Sequence, residues 1–537
     1  VQGGLNIGNA ITLNGVGTAA NGALENYTGN NTISGNVALG SASRINSAAG
    51  TLTVSGNITG AGQGLTVGGA ANTSITGTIG TGSGTLTKDG SGTLTLSGAN
   101  TYTGATTVSQ GTLVARNNSA LGTAASGTLV ASGATLQIEN NITIASEALT
   151  VNGTGRLLNA TGNNTFGGVI GGTGNVQVTG GKLTLSNTNT YSGDTTVANG
   201  ATLLLTANNA LGSSGNTTVQ SGGTLSLSGN IKDSNQTLIT LSGTGNSANG
   251  GTGAVQNVSG NNTLHGNIAL AANTTITSDA GTLTLGDTAL DPFTKSINLG
   301  ANTLTLNANT GNITVGSVIN GTGGLTKTGS GTLLLKNGIN SFTGTTNIKD
   351  GTLILDTYEY DAGYPTEYGL SGNLVIGDNI GAAKSAVFQQ GALEAPGTSN
   401  EYIKDSQSVT VNSDGYWNLR GYKETINNLT LNGGTIDAKN SAGAGDRLDV
   451  TGVITASNNA TSTINGRLGM NNSATKSIVV DAGSTLDINA ILSNGGFVKT
   501  GAGTLELSGA NTFTGQAKID AGIVLVNNNL GLGATAG

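Results

Sequence analysis

The chain has no cysteine and a single histidine, His265. Disulfides, thiolate metal sites and cysteine nucleophiles are therefore excluded, and a Ser-His-Asp triad or a transition-metal cluster has almost no material. With 3 prolines against 92 glycines and no Gly-X-Y period, a collagen-like chain is excluded as well. Charged residues are 9% of the 537 and the net charge is −7, so no basic stripe exists to neutralise a phosphate backbone. Nucleic acid and anionic membrane are not expected as partners. No run of about 18 apolar residues could span a bilayer, and Val1-Gln2-Gly3 opens no signal peptide. The strands of an outer-membrane barrel are also missing, so the chain reads as a processed or excised piece.

What is present is repetition. One phrase occurs four times: GTLTKDGSGTLTLSGANTYTGATTV from Gly84 to Val108, then from Gly174 to Val197, Gly323 to Ile348 and Gly495 to Ile519. A second occurs twice, as GNNTISGNVAL from Gly29 to Leu39 and GNNTLHGNIAL from Gly260 to Leu270. Between the glycines, apolar and hydroxylated residues alternate, as in Leu94-Thr95-Leu96, Leu183-Thr184-Leu185 and Leu304-Thr305-Leu306. That is the period of a strand with one buried face, and no segment of helical length carries three-and-four spacing. Spacings of 19 from Gly92 to Gly111 and 20 from Gly331 to Gly351 set the repeat unit. Coils of about 20 residues, each advancing about 4.8 Å, predict roughly 27 coils and a rod on the order of 130 Å long.

The first phrase, in its K-x-G-x-G-T-L-x-L-x-G-x-N-T-[YF]-T-G core from Lys88 to Gly104 and Lys499 to Gly515, resembles the passenger-associated transport repeat of autotransporters. Copy two departs from it, with Thr179 in the place of the lysine and Lys182 displaced. The resemblance implies an all-β, right-handed parallel β-helix (a β-solenoid), a single elongated rod exported to the outer surface of a Gram-negative bacterium. Three stretches are expected: 1–355, β-helix with repeat phrases; 356–424, a Tyr-rich acidic segment within it; and 425–537, β-helix continuing to an uncapped end. The tail from Asn529 to Gly537 and the head from Val1 to Leu5 resemble consecutive halves of the internal phrase from Asn209 to Leu225. This predicts self-association head to tail, as a covalent array or by stacking.

One region breaks the monotony. From Asp356 to Glu424 lie Tyr358, Tyr360, Tyr364, Tyr368, Tyr402, Tyr416 and Tyr422, the one Trp (Trp417), and ten acidic against four basic residues, so six of the seven net negative charges sit there. Tyrosine with carboxylates suits glycan or protein contact, since rings stack on sugar faces and acids accept hydroxyl hydrogen bonds. The candidate contact residues are Tyr358, Tyr360, Asp361, Tyr364 and Tyr368, and the partner would be a host or matrix glycan or protein. The plainer reading makes the segment a solvated loop, with Tyr416 and Trp417 packed along the flank of the solenoid.

Catalysis has little to work with. His265 stands where the sister phrase has Ser34, so it is read as an outward strand position. A polysaccharide lyase or hydrolase needs clustered carboxylates, and the best local group is Asp446, Arg447 and Asp449, with Arg447 and Asp449 on one strand face. The aromatics Tyr102, Tyr191, Phe342 and Phe513 share one repeat position and are expected to pack beneath a turn. The sequence therefore predicts an extracellular structural or adhesive solenoid, not an enzyme, with no catalytic residues, no cofactor and no metal. A receptor- or glycan-binding adhesin acting through the Tyr-rich loop and a polysaccharide lyase or hydrolase on a β-helix are the alternatives.

Overall fold

The alternation of Leu, Ile and Val with Thr and Ser forces strands, and the strands stack in parallel register from coil to coil. The computed structural model describes residues 1–234, 237–286, 295–336, 340–356, 369–391, 402–439, 447–470 and 475–533. The described residues form parallel β-solenoid of about 22 turns, and their helical elements are two single turns, Thr18–Ala20 and Ser247–Asn249. Two compact units are distinguished, Val1–Gln256 and Asn257–Gly537. The expected boundaries at 355 and 424 both fall within the second.

In the first unit, Leu94 stands on Leu113, Leu113 on Leu136, Leu136 on Leu157 and Leu157 on Val176. The neighbouring ladder runs Phe166, Leu185, Leu205 and Leu227. Leu94, Leu185, Leu333 and Leu505 are all 0% exposed while Thr95 and Thr184 face outward, as period-two alternation requires. Coil length is not constant: the step is 19 residues from Leu94 to Leu113 and 23 from Leu113 to Leu136. As a consequence the ladder that begins on the TLTL strand of copy one arrives at Val176, in the strand that opens copy two. The TLTL-type strand of copy two, Gly181–Leu185, stacks instead on Asn163–Phe166.

In the second unit the interior ladder passes through Leu333, Leu353, Phe388, Trp417 and Ile436. Here the steps lengthen, to 28 residues from Thr346 to Leu374 and 35 from Leu374 to Val409, before returning to 20 at Leu429. These long coils explain why there are fewer turns than the roughly 27 that a uniform coil would give.

One corner of the first unit is built without side chains. A Cβ on Gly56, Gly77 or Gly98 would stand 2.0–2.2 Å from the carbonyl oxygen of the glycine one coil below, Gly35, Gly56 and Gly77 respectively. Backbone rests on backbone there, and only glycine permits the approach.

Candidate functional site

The residues expected to touch a ligand, Tyr358, Tyr360, Asp361, Tyr364 and Tyr368, lie outside the described residues. The aromatics that follow them in sequence divide by strand alternation. In Gly415–Asn418, Trp417 points inward and is 0% exposed, its ring 6.1 Å from that of Phe388 on the previous coil. Trp417 is thus a core residue and not a flank residue, the expectation failing because an indole was assigned by its composition and not by its place in the alternation. Its indole N–H has no partner among the described residues. Tyr402 and Tyr422 are also buried, edge to face at 5.3 Å. Tyr416 alone of this group points outward: the Lys384 ammonium lies 4.8 Å from its ring centre, and its hydroxyl donates to Asp437 Oδ2 at 3.4 Å. Burial first, and then Asp437, raises the Tyr416 hydroxyl above the ordinary tyrosine range.

The transport-repeat phrase builds a device of its own. In Leu86–Lys88 the same alternation that buries Leu86 sends Lys88 inward. Its Nζ donates to three carbonyl oxygens, those of Asp89 (2.8 Å), Gly90 (2.6 Å) and, one coil on, Gln110 (3.1 Å). Lys327 repeats this with Thr328, Gly329 and Asp350 at 2.8, 2.5 and 3.0 Å, and Lys499 with Thr500, Gly501 and Ala521 at 2.8, 2.8 and 3.1 Å. An ammonium has three hydrogens, and each is used to close the corner and tie it to the next coil. Burial pushes Lys88 and Lys327 down to about 8, against the partial opposition of Asp89 and Asp350, and lowers Lys499 as well.

Copy two lacks the device, and the residue that replaces the lysine is Val178, not Thr179. Register fixes this: Lys88 pairs with Val108 as Val178 pairs with Val197. The copy is one residue shorter, which displaced the alignment by sequence. Its corner is closed from the coil below, by Asn159 Nδ2 donating to Gly180 O at 2.7 Å. Asn159 belongs to a third example of the Asn phrase that sequence comparison missed. Asn26 with Asn31, Asn159 with Asn164 and Asn257 with Asn262 all place the second amide against the first side-chain oxygen, within N-x-[ST]-G-N-N-T. The seven residues stand without a gap at 26–32, 159–165 and 257–263, so the third copy is legible in the sequence itself.

The Asn and aromatic of N-T-[YF] are structural too. Asn100 accepts from Ile79 N at 2.8 Å and donates to Ala120 O at 2.7 Å, bridging three coils, and Asn189 and Asn511 do the same. Tyr102 and Tyr191 are fully buried, with hydroxyls 2.7 and 2.6 Å from Thr106 and Thr195, and burial raises both well above the usual phenol range. Where copy four has Phe513 it also has Ala517 in place of that threonine. Copy three pairs Phe342 with Thr346, whose hydroxyl is left without a partner.

Residues considered for chemistry are not brought together. His265 is half-buried and lies just past the strand Asn262–Leu264, not on it, so the expected strand position is corrected to the connection that follows. Asp446 lies outside the described residues, while Arg447 holds Asp449 through two hydrogen bonds of 2.5 and 2.8 Å. The open hollow of about 480 Å3 between Arg116 and Glu139 contains that one carboxylate, already 3.3 Å from its arginine. Among the described residues no group of three or more His, Cys, Asp or Glu is placed to hold a metal ion, and no helix is long and apolar enough to cross a membrane.

The passenger-associated transport repeat matches residues 86–115, 180–205, 325–355 and 497–526. Three of the matches take in the inward lysine strand, while the copy-two match begins just after its counterpart Asn175–Val178, and all four run into the following coil. The adhesin BmaC autotransporter of Brucella suis biovar 1 (strain 1330) is 28% identical over 167 residues, which are 31% of this chain and 5% of that protein. The chain thus matches about a twentieth of the length of that relative. No solved structure matches significantly. Four times over, the chain carries the passenger-associated transport repeat on a parallel β-solenoid.

Proposed function

We propose that the chain is the structural and adhesive part of an extracellular surface protein, acts without catalysis, and makes its specific contacts through the Tyr-rich region after Asp356. The observation that carries this reading is the contrast in what side chains do. Lys88, Lys327, Lys499, Asn100, Asn189 and Asn511 all serve the stacking of coils, and the chemistry left over is concentrated in one acidic, tyrosine-bearing stretch. The name of the BmaC relative as an adhesin, and the surface exposure implied by passenger repeats, agree with it. A host or matrix glycan or protein is the expected partner.

The test is adhesion of cells or glycan-coated beads to the immobilised chain, with and without residues 358–368. Loss of adhesion with the solenoid still folded supports the reading; unchanged adhesion removes the loop from it, and no adhesion by the intact chain removes the adhesive role. Head-to-tail association is part of the same proposal. Its motive is the likeness of residues 529–537 and 1–5 to consecutive halves of the internal phrase from Asn209 to Leu225. Sedimentation that grows with concentration and is abolished by Leu525→Asp is the expected result; a concentration-independent monomer is the contrary one.

A further inference from the structure

Glu424 is a carboxylate with 0% exposure, in the outward-to-inward alternation of Lys423–Ile426. Burying such a group is costly unless its oxygens are fully bonded. They are bonded to Gln390 and to Tyr402 and Ile403, on either side of residues 392–401, which lie outside the described residues. Glu424 Oε2 accepts from the Gln390 side-chain amide and from Tyr402 N at 3.0 Å, and Oε1 accepts from Ile403 N at 3.1 Å. Two stretches that are separate in sequence are therefore held by one side chain from the coil above.

The same two stretches rest on Leu355 and Leu370 of the preceding coil. Gly391 N donates to Leu355 O at 2.8 Å. Leu370 N donates to Tyr402 O at 2.9 Å and Lys404 N to Leu370 O at 3.1 Å. Arg420 Nη1 donates to Gly391 O at 2.8 Å, and the Tyr422 ring lies under Gly391, where a Cβ would stand 2.5 Å from its hydroxyl oxygen. Gly391 also has φ +62°, so both its conformation and its close approach to Tyr422 require glycine.

We infer that Glu424 is a positioning residue: a carboxylate clasp that ties Gln390 to Tyr402 and Ile403 and, through their backbone bonds to Leu355 and Leu370, holds these stretches as a single unit. The inference deepens the adhesive reading and rests on it for its biological use, but the clasp itself is tested without any ligand.

Glu424→Gln replaces one acceptor oxygen with a donor, which faces either Tyr402 N–H or Ile403 N–H according to the rotamer. Amide hydrogen exchange on the full chain should then speed up about tenfold at Tyr402, Ile403 and Leu370, the loss expected of one buried hydrogen bond, with Val409 and Leu429 unchanged. Gly391→Ala, which disturbs the clasp from the opposite side by displacing Tyr422, should loosen the same amides. Asp449→Asn, which breaks the Arg447 pair on the next coil, should leave them protected. Unchanged exchange in both clasp variants, or equal loosening by Asp449→Asn, overturns the inference. Loosened amides with intact adhesion would uphold the clasp and count against the loop as the adhesive element, so the two ideas fail separately.

Discussion

The coils of the first transport repeat and the coils around Trp417 solve the same problem with different means. In the first, leucine stands on leucine, and the corner is closed by Lys88 within a step of about twenty residues. In the second, the interior ladder widens to Phe388 and Trp417, the steps reach 28 and 35 residues, and a buried carboxylate, Glu424, does the closing. The difference teaches that a coil must meet two conditions: an interior side chain in register, and satisfied backbone groups at the corner. Coil length is free once both are met, which is why insertions are accommodated without breaking the ladder.

The largest test of this contrast is in the interior. Trp417→Ala should cost about 3–5 kcal/mol and Leu94→Ala about 2–5 kcal/mol in denaturant unfolding, with the tryptophan at the top of the range despite its unpartnered N–H. Equal and small losses would mean that the wide ladder is loosely packed.

Corner closure comes next. Lys88→Met leaves three carbonyls without donors and should cost about 2–3 kcal/mol, whereas Val178→Lys, at a corner already served by Asn159, should bring no comparable gain. The charge supplies a further check. Lys88 and Lys327 are held at about 8 against 10.5 in the unfolded chain, so between those values the unfolded chain binds protons that the folded one lacks. Wild-type stability relative to a Lys88→Met, Lys327→Met double variant should rise as pH climbs through that window. A falling difference in thermal unfolding would show that the carbonyls, and not burial, govern these amines.

Smaller still is the turn aromatic, where two copies predict opposite signs. Tyr102→Phe should cost about 1 kcal/mol by orphaning Thr106, and Phe342→Tyr should gain about 1 kcal/mol by giving Thr346 a partner. The outward Thr95→Ala should stay within about 0.5 kcal/mol and serves as the reference.

Much of this was readable beforehand in the residues. Alternation alone assigns Leu94 and Leu505 to the core, and applied consistently it also sends Lys88 and Trp417 inward, against their polarity or their company. What alternation cannot supply is the face on which a phrase lies. Coils of 19 and 23 residues shift the phase, so the opening strand of copy two stands on the TLTL ladder of copy one. Nor does composition reveal that Tyr402 and Tyr422 are buried under a turn while Tyr416 is not, because that depends on Glu424 and Gly391 meeting across coils. The residues of the expected contact loop were legible as a departure from the repeat, and in nothing finer.

The glycine corner gives the solenoid a line of potential fracture. Since Gly56, Gly77 and Gly98 each rest directly on the carbonyl below, any larger residue at Gly77 would wedge two coils apart without touching the leucine ladder. In an array whose stability is carried by contacts between nearest neighbours, such a wedge removes one coupling and leaves the rest intact. The stack would then lose its unity before it lost its structure, melting as two shorter segments on either side of the substituted coil.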